Sequence, residues 1–386
     1  MLIERRKLLL AAAFPTIASA ASAQTIGPAS AGNRDRIVQF HSEGLGLRPK
    51  EYGRLLLSIA EKPGIEFDYY SRGGVVAELE ERMAKLLGKE TAVFMPTGTL
   101  ANHLAVRMLA GNRRRVLLQH ESHLYNDSGD CAQQLSGLTL VPLAPTGLMF
   151  SLDDVVSEIE RVKGGRVPGE IGAISIESPV RRGGHLVVDL SDMQKICDYA
   201  RNQAIGLHLD GARLLPACAF TGIVPATYAA LFDTVMVSLW KYLNAPSGAI
   251  LAGPRRLLDN LYHVRRMFGG GMHNAWPDAA VALHYLGGFV DRYERAVAVA
   301  TELFRMLAAH PRCRLNHPPG ATVSADLKVL GANAGSLPGR LRNHAIEIPG
   351  ARVTTAEGAD FALVINESLL RRPAVEIIGA FAQALG

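Results

Sequence analysis

The sequence predicts an α/β protein built on a mostly parallel sheet, followed by a smaller α+β C-terminal domain. Three observations predict it. Short apolar runs alternate with amphipathic helical stretches from Thr91 to Gly253, at a spacing that suits βαβ crossovers. Polar and charged residues stand just beyond the ends of those runs, which is where ligands bind in such sheets. Hydrophobic residues make up 48% and charged residues 20% of the 386, the balance of a globular chain with ample core.

The N-terminus reads as an export signal over residues 1–23. Glu4-Arg5-Arg6-Lys7 is a charged head with a twin arginine, Leu8 to Ala20 is apolar, and Ala21-Ser22-Ala23 is a small-residue cleavage site. The apolar part is too short to span a bilayer comfortably, so the expectation is cleavage, no stable membrane anchor and a periplasmic or secreted product. Residues 24–36 read as a linker. The formal net charge of +5 falls to about +3 without the signal, and Lys and Arg are scattered, so no nucleic-acid groove is expected. Cys131, Cys197, Cys218 and Cys313 have neither metal-knuckle nor redox-pair spacing.

Along the mature chain, Ile37 to Phe40 reads as a short strand, Pro49 to Ala60 as a helix, and Val75 to Leu87 as an amphipathic helix that Gly88 stops. Thr91 to Met95 is a strand that runs into Pro96-Thr97-Gly98-Thr99, and a helix follows to Leu109. Strand, tight turn and helix N-terminus together make an anion site, because free N–H groups and the helix dipole point at the turn. A plain threonine N-cap would give the same pattern. Val116 to Gln119 is the next strand, with His120 and His123 just beyond it. Strands over Leu138–Leu143 and Ile171–Ile176 and helices over Leu152–Lys163 and Ser191–Asn202 continue the alternation. Ala204 to Leu209 ends in Asp210-Gly211-Ala212-Arg213. Thr234 to Leu239 ends at Lys241, and Ala249 to Ala252 is expected to pair beside it. A single long helical stretch is expected from Asp278 to His310, with mixed short elements after it. The expected domains are residues 37–300 and 301–386.

Lys241 carries the functional argument. A lysine at the end of a buried strand loses hydration, its pKa falls, and a neutral amine able to attack a carbonyl results. Snorkelling to water is the alternative. Gly98 and Thr99, His123, Asp210 and Lys241 all stand at strand ends, on four separate strands, and together they describe a pyridoxal phosphate pocket. Gly98 and Thr99 would hold the phosphate, Asp210 would keep the pyridine nitrogen protonated, Lys241 would form the Schiff base, and Arg213 could pair with a carboxylate.

These residues also resemble a family. Pro96-Thr97-Gly98-Thr99-Leu100-Ala101-Asn102, His208-Leu209-Asp210-Gly211-Ala212-Arg213-Leu214, Lys241 with Ala245-Pro246, and Arg265-Arg266-Met267-Phe268-Gly269-Gly270-Gly271-Met272 are similar to the threonine aldolase / β-eliminating lyase family. The resemblance covers roughly residues 37–300. It implies the aspartate-aminotransferase-type fold (fold type I), a homodimer or homotetramer with an active site shared across subunits, His123 stacked on the pyridine ring, Arg265 near the phosphate of its own or the neighbouring subunit's site, and Ser42 near the substrate carboxylate. Some positions depart from the pattern. Val180 stands where a second active-site histidine is expected, Ala362 where an arginine is expected, Trp240 where a serine is typical, and Tyr242 and Asn244 where glycines flank the lysine. Arg72, Arg181 and Arg352 are candidate replacement cations. The reading is therefore a pyridoxal-phosphate-dependent lyase that cleaves a β-hydroxy-α-amino acid to glycine and an aldehyde, with His123 or a water as base. β-Elimination or transamination of another amino acid, and a cofactor-binding protein without turnover, are the alternatives.

Overall fold

The structure is a computed structural model that describes residues 36–386. The expected export signal, and all but the last residue of the expected linker, lie outside the described residues.

Among the described residues, thirteen strands follow in chain order: β1 (Val38–Gln39), β2 (Thr91–Met95), β3 (Arg115–Gln119), β4 (Thr139–Leu143), β5 (Ile171–Glu177), β6 (Gly206–Asp210), β7 (Thr234–Ser238), β8 (Ala249–Gly253), β9 (Cys313–Asn316), β10 (Ser324–Leu330), β11 (Ile346–Glu347), β12 (Val353–Thr354) and β13 (Gly358–Val364). Seven of them form one sheet in the order β2-β8-β7-β6-β5-β3-β4. Strands β4, β3, β5, β6 and β7 are mutually parallel, while β8 is antiparallel to both of its neighbours, β7 and β2. The fold is thus α/β with a mostly parallel sheet. Every residue of β5, β7 and β8 is buried. A strand covered on both faces needs an unbroken apolar run rather than an alternating one, and Ile171–Ile176 and Thr234–Leu239 supply it.

Because β8 alone runs backwards, the carboxyl ends of β2, β3, β5, β6 and β7 open onto one edge. The helix Gly98–Ala110 starts directly beyond β2 and packs across β5 to β8. At the same edge the amide side chain of Gln119 continues the ladder. It donates to Glu177 O at 2.8 Å and accepts from Glu177 N at 2.8 Å, which locks the ends of β3 and β5 together.

The C-terminal part carries a four-stranded antiparallel sheet, β12-β13-β10-β9, whose central strand β10 alternates buried and exposed residues, as a one-sided sheet requires. Strand β1 does not join the large sheet. It pairs in parallel with β11, Val38 opposite Ile346, and so ties the start of the described chain to its C-terminal part. The expected single helix from Asp278 to His310 is two helices, Trp276–Leu286 and Phe289–Ala309. Gly287-Gly288 breaks it: Gly288 caps the second helix at φ +65°, a conformation that glycine takes without steric cost. Among the described residues no helix is long and apolar enough to cross a membrane.

Candidate active site

The shared edge of the sheet encloses a cavity of about 440 Å³. Gly98, Thr99, His123, Asp210, Arg213 and Lys241 all line it, so six residues predicted from the sequence meet in one place.

Asp210, at the end of β6, is buried, and each of its carboxylate oxygens accepts a hydrogen bond. Oδ2 accepts from Asn102 Nδ2 at 2.5 Å and Oδ1 accepts from the Ala212 backbone N–H at 3.1 Å. Behind it runs a chain of buried polar groups. The Asn102 Oδ1 atom lies 2.9 Å from His208 Nε2, and His208 Nδ1 lies 2.9 Å from Thr234 Oγ1. Burial pushes the His208 imidazole down to about 4, so it stays neutral and adds no competing charge. Asn102 comes from the helix beyond β2 and Thr234 from β7, so three elements hold one carboxylate.

The helix Gly98–Ala110 is capped by Thr97, not Thr99: Thr97 Oγ1 accepts from Leu100 N at 3.1 Å. That leaves the Thr99 side chain and the first backbone amides of the helix facing the cavity, an arrangement suited to a phosphate.

Lys241 lies just beyond β7. Burial, and then the positive charge of Arg213, push its amine down to about 8, while Glu43 and Asp210 partly oppose the shift. Its Nζ sits 5.6 Å from the centre of the half-exposed Trp240 ring. The turn after it is pinned in place. Asn244 adopts φ +57°, a left-handed conformation that asparagine tolerates where glycine is usual. Its Oδ1 accepts from Leu45 N at 2.6 Å, and its carbonyl accepts from the Tyr52 hydroxyl at 3.0 Å. Gly44 passes so close that a Cβ there would stand 2.4 Å from the Lys241 carbonyl oxygen.

His123 opens a short helix beyond β3, and its backbone N–H donates to Glu177 Oε2 at 2.6 Å. Burial lowers its imidazole pKa, opposed by the charge of Asp210. The Glu177 carboxyl is raised by its own burial and by Asp210, and it also accepts from Arg181 N at 2.8 Å.

The structure adds residues that sequence reasoning missed. Glu43 pairs with Arg213 at 2.5 Å, so the expected carboxylate clamp already holds an acidic side chain. The segment carrying Glu43 is anchored by Gln39, whose Oε1 accepts from His41 N and Ser42 N, and by Asn366, which donates to Gln39 O and Ser42 O. A second cavity of about 620 Å³ shares Glu43, Trp240 and Lys241 with the first. Ser42 lines this second cavity, where its hydroxyl accepts from Gln39 Nε2 and donates to Gly44 O. His185 lines it too, and no motif in the sequence marked it.

Two expectations need correction. Arg265 does not reach either cavity of its own chain: it is buried, and its guanidinium donates to the backbone carbonyls of Phe94 and, at 3.1 Å, of Tyr70. Buried carbonyls need donors, and Arg265 supplies one to each of these two. Of the three candidate cations, Arg181 lines the first cavity, paired with Asp127 at 2.5 Å. Arg72 instead stacks 4.7 Å over the Tyr262 ring, and Arg352 pairs with Asp326 at 2.8 Å.

These residues fit pyridoxal phosphate. The cavity holds an amide-lined helix start for a phosphate, a carboxylate for a ring nitrogen and an amine of lowered pKa for an aldehyde. It also holds the Ser238 hydroxyl, a buried polar atom with no partner among the described residues.

A family model described as Beta-eliminating lyase matches residues 65–329. The Low-specificity L-threonine aldolase of Candida albicans is 28% identical over 228 residues, 58% of this chain and 60% of that protein. Alanine racemase TOXG of Cochliobolus carbonum is 31% identical over 230 residues, 59% of this chain and 58% of that protein. The chain thus spans about three-fifths of the length of these two relatives. A Listeria monocytogenes protein, solved as a candidate L-allo-threonine aldolase, superposes with a TM-score of 0.75 at 25% identity, covering 92% of this chain and 97% of the other.

A lysine amine displaced to about 8 is mostly protonated at pH 6 and mostly free at pH 9. The rate at which cofactor-free protein captures pyridoxal phosphate, followed by absorbance, is expected to rise with pH through a midpoint near 8. In Arg213→Met, which removes a repelling cation, the midpoint moves upward; a midpoint near 10 in the unaltered protein contradicts the burial argument.

Proposed function

Because the chain belongs to the beta-eliminating lyase family, we propose that it is a pyridoxal-phosphate-dependent lyase cleaving β-hydroxy-α-amino acids to glycine and an aldehyde, as a threonine aldolase does. The observation that carries this reading is the meeting of Lys241, Asp210 and the Gly98–Thr99 helix start in one cavity.

Each side chain has a task there. The backbone N–H groups at the helix start and the Thr99 hydroxyl bind the phosphate. Asp210, held in place by its Asn102 and Ala212 donors, would hold a proton at the pyridine nitrogen. Lys241 would supply the neutral amine that holds the cofactor aldehyde. When bound, pyridoxal phosphate supplies an electron sink for the bond broken at Cα. Enclosure by the cavity strengthens every one of these charge interactions by excluding water.

One observation favours a second reading. Arg213 is already paired with Glu43, so a substrate carboxylate must compete for it, and a reaction less dependent on that clamp, β-elimination or transamination of another amino acid, gains from this arrangement. One relative is named an alanine racemase, which extends the range of chemistry at such a site.

Export and self-association belong to the same proposal. Arg5-Arg6 and Ala21-Ser22-Ala23 support a twin-arginine route to the periplasm or beyond. Phe67, Tyr69 and Met267 support a homodimer or homotetramer, since they expose 75%, 68% and 77% of their surface beside the Arg266–Tyr70 contact.

Holoenzyme given a panel of β-hydroxy-α-amino acids is expected to release aldehyde and glycine in equal amounts. Pyruvate or another keto acid without aldehyde selects the second reading, and no product from fully loaded protein rejects both. In the native host, the protein is expected in the periplasmic or secreted fraction with the mass of two or four chains by light scattering, and Arg5→Lys with Arg6→Lys keeps it in the cytoplasm. An exported monomer, or export of the doubly substituted protein, contradicts the corresponding half.

A further inference from the structure

The position where a second active-site histidine was expected is closed. Val180 is fully buried, and its backbone is consumed by a tight hairpin: Val180 N donates to Leu186 O at 2.8 Å, and His185 N donates to Val180 O at 2.9 Å. The hairpin turns through Gly183-Gly184 and brings His185 back over the second cavity, beside Lys241 and Glu43. Its far side is anchored independently. The His185 carbonyl accepts from Thr322 N at 3.3 Å and from Thr322 Oγ1 at 3.2 Å, and Val187 N donates to Gly320 O at 3.0 Å.

Two features separate this histidine from an ordinary loop residue. Its φ is +62°, a left-handed conformation that a residue with a Cβ holds only when its surroundings enforce it, and such residues cluster at working sites. Its Nδ1 stands 2.9 Å from Ser324 Oγ, while Nε2 has no hydrogen-bond partner among the described residues. With the Nδ1 hydrogen directed at the serine oxygen, Nε2 is the bare, basic nitrogen. The groups acting on the ring are Arg213, Glu43, Lys241 and Arg181, and burial with the cations pushes the imidazole down to about 4, so it is neutral at physiological pH. His123 is placed differently: it lines the first cavity, and its Nδ1 faces Ser128 Oγ at 3.3 Å.

We propose that His185 is the catalytic base at the substrate β-hydroxyl, supplied by the hairpin in place of the histidine missing at Val180. The inference rests on the retro-aldol reading above. Nε2 takes the hydroxyl proton, the C–O bond becomes the aldehyde C=O, and the Cα–Cβ bond breaks with its electron pair left on the glycine fragment. The proton on Nε2 then leaves to solvent, which restores neutral His185, and a solvent proton delivered to Cα by a group other than His185 completes glycine, so that the substrate's atoms are all accounted for in aldehyde and glycine. Ser324 acts as a positioning residue that fixes the tautomer.

The test uses holoenzyme with His185→Asn, since asparagine tolerates the left-handed conformation, and His185→Gln as a second variant. Cofactor absorbance and circular dichroism confirm loading and folding. Two rates are read on each protein: aldehyde release from a β-hydroxy amino acid, and exchange of the glycine α-proton into deuterated water by NMR. The second needs no β-hydroxyl base. The expected result is a fall in aldehyde release of roughly 100-fold or more in both variants, with glycine exchange within about twofold of the unaltered protein, and a smaller loss in Ser324→Ala. Aldehyde release within about threefold of the unaltered rate overturns the assignment of His185, as does an equal loss in both rates. If the unaltered holoenzyme exchanges glycine but cleaves no β-hydroxy amino acid, the retro-aldol reading itself fails, and this proposal with it.

Discussion

A carboxylate that leaves water must find donors, and Asp210, only 4% exposed, finds them in Asn102 and in the Ala212 backbone N–H. Asn102 can face Asp210 only because its other end is held by His208, and His208 is held in turn by Thr234. The chain joins the helix beyond β2 to β6 and β7. It therefore fixes where the helix start lies relative to the strand end that carries Asp210, and hence the separation of the two in the proposed cofactor site. A half-satisfied network of this kind costs more than an apolar core, so its completeness rigidifies the cavity.

The opposite wall is set by charge. Arg213 is nearly buried beside Lys241, and an unpaired guanidinium there would be expensive. Glu43 neutralises it, and this pair, with burial, adjusts the lysine amine: Arg213 lowers its pKa and Glu43 partly restores it. Glu43 reaches Arg213 only because Gln39 and Asn366 pin the segment before it, and β1, which begins that segment, is itself paired to β11. The C-terminal part thus bears on the site without lining most of it.

Much of the site was legible in the sequence because parallel strands advertise their ends. An apolar run such as Thr234–Leu239 followed by Lys241, or Ala204–Leu209 followed by Asp210, marks both the strand and the edge it faces. What was not legible depends on contacts between distant residues. Glu43 and Arg213 are 170 residues apart. Asn102 and His208 read as the interior of a helix and of a strand, and nothing local says that they touch. His185 lies in a loop, where its approach to Lys241 follows from the hairpin's backbone bonds rather than from spacing. Arg265 sat in a basic, glycine-rich stretch that suggested an anion, yet buried carbonyls of Phe94 and Tyr70 claim it. Of the pocket substitutions, Asn244 takes up the left-handed turn, while the buried Tyr242 ring lies tilted 5.1 Å from Phe289.

The central claim is that the strand ends form one cofactor site with Lys241 as its amine. Borohydride reduction of the protein loaded with pyridoxal phosphate, followed by peptide mapping in the mass spectrometer, tests it most directly. The account predicts a pyridoxyl group on the peptide containing Lys241 and on no other lysine, and none in Lys241→Ala. A label on a different lysine, or no label at saturating cofactor, would contradict it.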